Sequence, residues 1–262
     1  GHYATRFLNE DGSWKAVAQL KNSSSDISPT GGQMPRLLGL AQASKMYRNV
    51  PELKDFTHFS SGGNEVAFGT IGDASTSEGP FWEAMNAAGV MQVPMVMSVW
   101  DDGYGISVLR EFQTSTGSIS QALSGMQRSD DHKGFEIFES KGWDYAHLCA
   151  TYEKAVRIAR EEHVPILVHV KEVSQPQGHS TSGSHERYKS SERLNWEIEY
   201  DCLLKFREWI LNFPKGEESL ATEEILDEIL PQFNLEYRVV DRQVIVFPVE
   251  EKEKTEKGNA NE

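Results

Sequence analysis

The chain has 262 residues, 38% of them hydrophobic and 10% aromatic, enough for one sizeable core with little left over for a second full domain. Its formal net charge of -14 argues against nucleic acid as the main partner, because phosphate backbones demand clustered Lys and Arg. No apolar run is long enough to cross a bilayer, the start has neither region of a secretory signal, and Cys149 and Cys202 lack metal-ligand spacing, which points to a reduced compartment.

In chain order, Met34, Leu37, Leu38, Leu40 and Ala41 predict a helix after Gly31-Gly32. Glu65 to Ile71 is a mostly apolar run that ends in Gly72-Asp73, the composition of a buried strand meeting a turn, so Asp73 is expected at a sheet's rim. Phe81, Ala84, Met85 and Ala88 recur at helical spacing, and Pro94 to Trp100 is a second apolar run, giving a strand-helix-strand unit. Phe135 to Glu139 reads as a strand, and Tyr145, Leu148, Cys149, Tyr152, Val156 and Ala159 as a helical stripe that makes Cys149 a core residue. Ile166 to Val170, introduced by Pro165, is another strand. Ser190 to Leu211 carries one further helical pattern, with Trp196, Tyr200, Leu203, Leu204, Trp209 and Ile210 as packing residues.

Strands alternating with helices imply an α/β fold, a mainly parallel sheet flanked by helices on both faces. The expected organisation is a main domain over 1–212, a divergent extension over 213–249 and a disordered acidic tail over 250–262. Within the extension, Leu220 to Leu230 reads as an acidic helix and Val239 to Val249 as a strand.

The crossover brings two strand ends to one edge, placing Asp73 near Asp101, Asp102 and the Tyr104 carbonyl. A hard cation such as Mg²⁺ takes carboxylate and carbonyl oxygens and fills its remaining positions from phosphates and water. Backbone amides beginning at Ala74 and Ser75, followed by a helix N-terminus, favour an anion at the same place. The alternative is that Gly-Asp and Asp-Gly are simply turn residues flanking a crossover helix.

Gly72-Asp73, followed by Asp101-Asp102-Gly103-Tyr104-Gly105, resembles the thiamine-diphosphate motif. The intervening Glu78-Gly79-Pro80-Phe81-Trp82-Glu83-Ala84-Met85-Asn86-Ala87-Ala88 is similar to the α subunit of the 2-oxo acid dehydrogenase decarboxylating component. Ser28-Pro29-Thr30-Gly31-Gly32-Gln33 resembles a further block of that family, and Gly178-His179-Ser180-Thr181-Ser182 with Arg187-Tyr188-Lys189-Ser190 resembles its phosphorylatable loop. The likeness runs from about Trp14 to Asn212.

This resemblance implies a thiamine-diphosphate-binding fold with thiamine diphosphate and Mg²⁺ as cofactors. Asp73, Asp102 and Tyr104 are then the metal ligands, and Thr30, Gly72, Asp73, Ala74, Ser75, Asp102, Ile106 and His179 the cofactor neighbours. It also makes His179 the catalytic proton donor and Ser180 a site of regulatory phosphorylation, where added negative charge would disturb the loop. The implied reaction is oxidative decarboxylation of a 2-oxo acid with acyl transfer to a lipoyl group on a partner acyltransferase. A β subunit or fused β-like half would complete the site in an α₂β₂-type assembly, with the isolated chain inactive.

The phrases Trp100-Asp101-Asp102-Gly103-Tyr104-Gly105-Ile106-Ser107 and Gln175-Pro176-Gln177-Gly178-His179-Ser180 look most like the fused α/β form from bacteria. That implies a branched-chain substrate such as 2-oxoisovalerate and a bacterial cytoplasmic setting, and the short lead before the Ser28-Pro29 block, where the family has a longer segment, makes an N-terminally incomplete chain the expectation. Two departures stand out. The family commonly has Gly at Ala74 and Asn-Asn at Asp101-Asp102, and it has Arg at Gln175. An extra negative charge beside a diphosphate weakens cofactor binding or holds the metal more tightly. Competing readings are a pyruvate or acetoin dehydrogenase α chain, and a degenerate scaffold of the same fold that has lost productive cofactor binding. Retention of Asp73 and His179 speaks against the scaffold.

Overall fold

In the computed structural model the chain order is α1 (Met34–Asn49), β1 (Ala67–Gly72), α2 (Gly79–Met91), β2 (Met95–Trp100), the short strands β3 (Tyr104–Gly105) and β4 (Val108–Leu109), and α3 (Ile119–Ala122). Then follow β5 (Glu136–Lys141), α4 (Tyr145–Glu162), β6 (Ile166–Lys171), α5 (Ser191–Glu199), α6 (Cys202–Asn212), β7 (Leu235–Val240) and β8 (Gln243–Pro248). The structure describes residues 7–20, 27–179 and 185–212, with the backbone of 235–240 and 243–248. Ser180 with Thr181 and Ser182, the helix expected over 220–230 and the tail over 250–262 lie outside the described residues.

Four strands pair in parallel in the order β1-β2-β6-β5. Their register sets Gly72 opposite Trp100, Val99 opposite His169 and Glu139 opposite His169. Successive side chains on a strand point to opposite faces, and here both faces are covered, so β2 and β6 are buried almost throughout. Met95, Met97, Val99 and Leu167 pack with Phe81, Met85 and Ala88 of α2 and with Leu37 and Ala41 of α1. Val96, Ile166, Val168 and Val170 pack on the other face with Ala155, Ile158 and Ala159 of α4. Each fully buried large side chain contributes about 1.5–3 kcal/mol of transfer free energy, so this two-sided core is what fixes the strand ends in place.

Local chemistry sets the crossover helix. Pro80 sits in the first turn of α2, where its missing N–H costs nothing, and the helix ends at Gln92, with φ 50. The Gln92 amide nitrogen donates to the carbonyls of Gly89 (2.6 Å) and Gly134 (2.7 Å), tying the helix end to the chain entering β5.

The structure corrects four expectations. Cys149 is exposed. The buried stripe of α4 is Thr151, Ala155, Ile158 and Ala159. Cys149 precedes Ala155 by six residues, which turns it about 120° away at ~100° per residue. The pattern over Ser190 to Leu211 is two helices, because Asp201 Oδ1 accepts the Leu203 N–H (2.8 Å) and Ser174 Oγ accepts the Cys202 N–H (3.2 Å), starting a new helix. Leu203, expected to pack, is 72% exposed. The strand expected over Val239 to Val249 is part of an antiparallel hairpin, with Leu235 opposite Pro248 and Val240 opposite Gln243. The chain divides into compact units at Leu203/Leu204, with that hairpin in the second. No helix among the described residues is long and apolar enough to cross a membrane.

Candidate metal and diphosphate site

Backbone ladders continue past the strands and thereby fix two acids, Asp73 and Asp101, with Asp102 next in the chain. The Asp73 N–H donates to the Trp100 carbonyl (3.0 Å), the Asp101 N–H to Val170 (2.8 Å), and the Val173 N–H to Asp101 (3.0 Å). Asp73, Asp101 and Asp102 are 6%, 2% and 8% exposed, at the carboxyl ends of β1 and β2. Ligands of open parallel sheets collect at this edge.

The three carboxylates are not equivalent. Burial, reinforced by the charges of Asp101 and Asp102, pushes the Asp73 carboxyl up to about 8. Asp73 Oδ2 is buried without a hydrogen-bond partner. Burial also raises Asp102, against the opposing pull of the Tyr104 N–H and of Lys189 and Arg193. For Asp101 burial is outweighed, first by its hydrogen bond with His169 and then by the Arg110 charge, so its carboxyl is held low. His169 Nε2 lies 2.9 Å from Asp101 Oδ2, Arg110 Nη1 donates to the same oxygen at 3.0 Å, and the Gly103 N–H donates to Oδ1 at 2.8 Å.

An orphaned buried carboxylate oxygen beside a second acid is a fit for a divalent cation, which would supply the missing partner and draw off the proton. No group of His, Cys, Asp and Glu among the described residues forms an all-side-chain metal cage. Asp73, Asp102 and the Tyr104 carbonyl, the donors expected from the sequence, are a set that would leave positions for phosphate oxygens and water.

The residues expected around the cofactor gather at this edge from separate segments. Ala74 to Ser77 form a 3-10 turn rather than running directly into α2, and the Ala74 N–H bonds the Asp73 carboxyl. A Cβ on Gly72 would lie 3.8 Å from Ser75 Oγ, and one on Gly105 would lie 2.8 Å from Ala74 Cβ, so the turn and the β3–β4 hairpin are in contact. Gly31, with φ 73, brings the exposed Thr30 beside that turn, its own Cβ position lying 3.0 Å from Glu78 Cβ. His179 is exposed, and its backbone is hydrogen-bonded to the Tyr188 hydroxyl, whose pKa burial and the Asp102 charge raise. Tyr188 in turn lies 6.0 Å from the Tyr104 ring, so the His179 segment is joined to the metal-side loop.

Ile106 occupies the tip of the hairpin at φ 59 while 58% exposed. A β-branched residue in the left-handed region stores about 1–3 kcal/mol of strain, and strain of this kind gathers at ligand clamps. Ile106→Gly is expected to stabilise the protein by about 1 kcal/mol in chemical denaturation while weakening cofactor binding. A loss of stability would show that the backbone there is unstrained.

Several groups escaped the sequence reading. His169 stood unremarked in the strand Ile-Leu-Val-His-Val, although a polar residue within a buried run is itself a signal. Arg193 Nη2 donates to the Asp102 carbonyl (2.6 Å) and its guanidinium lies 5.4 Å from the Tyr104 ring. Lys189 Nζ sits 5.0 Å over the same ring, held by both oxygens of the fully buried Glu197 at 2.7 and 2.9 Å. Beside these groups opens a cavity of 410 Å³ lined by Asp101, Asp102, Tyr104, Arg110, Glu172 and Arg193 among others.

The family model of the dehydrogenase E1 component matches residues 12–237. The pyruvate dehydrogenase E1 component subunit alpha of Rickettsia bellii is 27% identical over 201 residues, 76% of this chain and 52% of that protein. The 2-oxoisovalerate dehydrogenase subunit alpha of Bacillus subtilis is 26% identical over 211 residues, 79% of this chain and 56% of that protein. A solved transketolase from Campylobacter jejuni is similar with a TM-score of 0.44 and 16% identity over 80% of this chain and 33% of that one. The chain spans about half the length of the curated relatives it matches. On the match across most of its length, the chain belongs to the dehydrogenase E1 component family.

Proposed function

We propose that this chain is the α part of an enzyme that oxidatively decarboxylates a branched-chain 2-oxo acid and acylates lipoyl groups, using thiamine diphosphate and Mg²⁺ with a β half. The observation that carries the reading is the convergence of Asp73, with its partnerless Oδ2, and Asp102 at the carboxyl edge of a parallel sheet. Bound there, the cofactor supplies the electron sink for loss of carbon dioxide. Asp73, Asp102 and the Tyr104 carbonyl would hold the metal, and the turn from Ala74 would lie against the diphosphate. Ile106 and Thr30 would border the organic part, and His179 would exchange protons with the reacting substrate. Ser180 would carry a regulatory phosphate. A lipoyl-bearing acyltransferase and an α₂β₂-type assembly complete the proposal, and the bacterial cytoplasm is its setting.

Pyruvate is the second reading, favoured by relatives named for pyruvate as well as for 2-oxoisovalerate. The test is dye reduction by the full-length protein with its β half, offered 2-oxoisovalerate or pyruvate, with and without thiamine diphosphate and Mg²⁺. Turnover that needs both cofactors and is fastest with 2-oxoisovalerate is expected. Fastest turnover with pyruvate supports the second reading, and folded protein that neither turns over nor binds cofactor overturns both.

A further inference from the structure

Three carboxylates crowd one sheet edge, yet a cation that must also hold a diphosphate has room for only some of them. Their hydrogen bonding already divides them. Both oxygens of Asp101 are engaged, Oδ1 by the Gly103 N–H and Oδ2 by His169 and Arg110. Asp73 keeps a buried oxygen without a partner. The geometry points to a clamp: His169 and Arg110 are positioning residues that withdraw Asp101 from the metal, so that only Asp73 and Asp102 are offered as ligands and coordination positions stay open for diphosphate.

The clamp is anchored from behind. His169 is fully buried on β6, and its Nδ1 lies 3.0 Å from Ser120 Oγ at the start of α3. Ser120 spends its own hydrogen on Glu139, which also accepts from Lys171 Nζ at 2.6 Å. The ring is therefore held from both nitrogens, by Ser120 at Nδ1 and by the Asp101 carboxylate at Nε2. Arg110 reaches the same Asp101 oxygen and also lines the 410 Å³ cavity, with its side chain 47% exposed.

The inference rests on the reading of this edge as a metal-diphosphate site, and it has a signature that a structural role lacks. Releasing Asp101 gives the ion a third carboxylate and the diphosphate a competitor. Arg110→Gln in the full-length protein with its β half is thus expected to bind free Mn²⁺, counted by electron paramagnetic resonance, about tenfold more tightly. The same variant should bind thiamine diphosphate at saturating Mg²⁺, followed by intrinsic fluorescence, about tenfold more weakly. Because Arg110 is half exposed, its loss leaves the core intact; the buried His169→Gln should show the same opposed shifts. In an Asp101→Asn background, Arg110→Gln should change either affinity by less than about twofold. Both affinities falling together, or the same effect persisting without the Asp101 charge, would overturn the clamp. Wild type that binds neither ligand overturns the proposed function and the clamp with it. Wild type that binds both, with an Arg110→Gln variant indistinguishable from it, overturns the clamp alone.

Discussion

Asp73→Asn is expected to make the metal-free protein more stable at pH 8 than wild type while weakening Mg²⁺-dependent thiamine diphosphate binding at least about a hundredfold. The two effects have one origin. An unfolded Asp ionises near its model value of 3.8, whereas folded Asp73 keeps its proton up to about 8, because burial and the charges of Asp101 and Asp102 oppose the carboxylate. Between those values the folded state holds one more proton than the unfolded state, so this group's contribution to stability is greatest below pH 4 and falls as pH rises towards 8. Asn is uncharged, adds no such slope and can still hydrogen-bond its neighbour. Wild type and variant should therefore be alike near pH 4 and diverge by a few kcal/mol near pH 8.

Mg²⁺ inverts the comparison, since a divalent charge at Asp73 Oδ2 favours the ionised form. Binding then expels a proton, and wild-type affinity should rise by about tenfold per unit between pH 6 and pH 8. Thermal unfolding across pH, with and without Mg²⁺, checks both halves. An Asn variant less stable than wild type at pH 8 would mean that Asp73 is solvated well enough to ionise freely.

The acids were legible in the sequence because each is announced locally, by an apolar strand that ends in Gly-Asp or Trp-Asp-Asp-Gly, and the alternation of elements brings those ends together. The same logic could not reach His169. Periodicity assigns it to a strand and a face, but its partners Asp101 and Ser120 come from segments 68 and 49 residues away. The break between α5 and α6 was hidden for the same reason, since Ser174, which accepts the first N–H of α6, lies 28 residues upstream. Cys149 misled differently. It reads as apolar and Thr151 as polar, so the predicted stripe was rotated part-way around α4 from the buried one, although its Leu148, Tyr152, Val156 and Ala159 do pack on the core. Placement of backbone was thus written in local pattern, while the partners that tune the acids depend on contacts between elements.

Glu197→Ala is expected to cost about 3–5 kcal/mol. Glu197 is fully buried, and its carboxylate receives Lys189 Nζ at 2.7 and 2.9 Å and Arg193 Nε at 2.9 Å. Truncation leaves the Lys189 ammonium, whose side chain is 1% exposed, without its anion. The cation–π contact of Lys189 with Tyr104 is worth about 0.5–2 kcal/mol and cannot replace a buried charge partner. A drop in denaturant midpoint at constant slope would measure the loss, and a cost below about 1 kcal/mol would show that water reaches the pair. Replacing both charges, Lys189→Met with Glu197→Leu, should recover most of the stability, because a buried ion pair seldom outperforms well-packed apolar groups. It should not recover cofactor affinity. Arg193, which donates to the Asp102 carbonyl, keeps its charge in the double variant but loses the carboxylate that aims its guanidinium. A stable double variant with weakened thiamine diphosphate binding would separate the two tasks: Lys189 is neutralised for the sake of the fold, and Arg193 is held in place for the sake of the site.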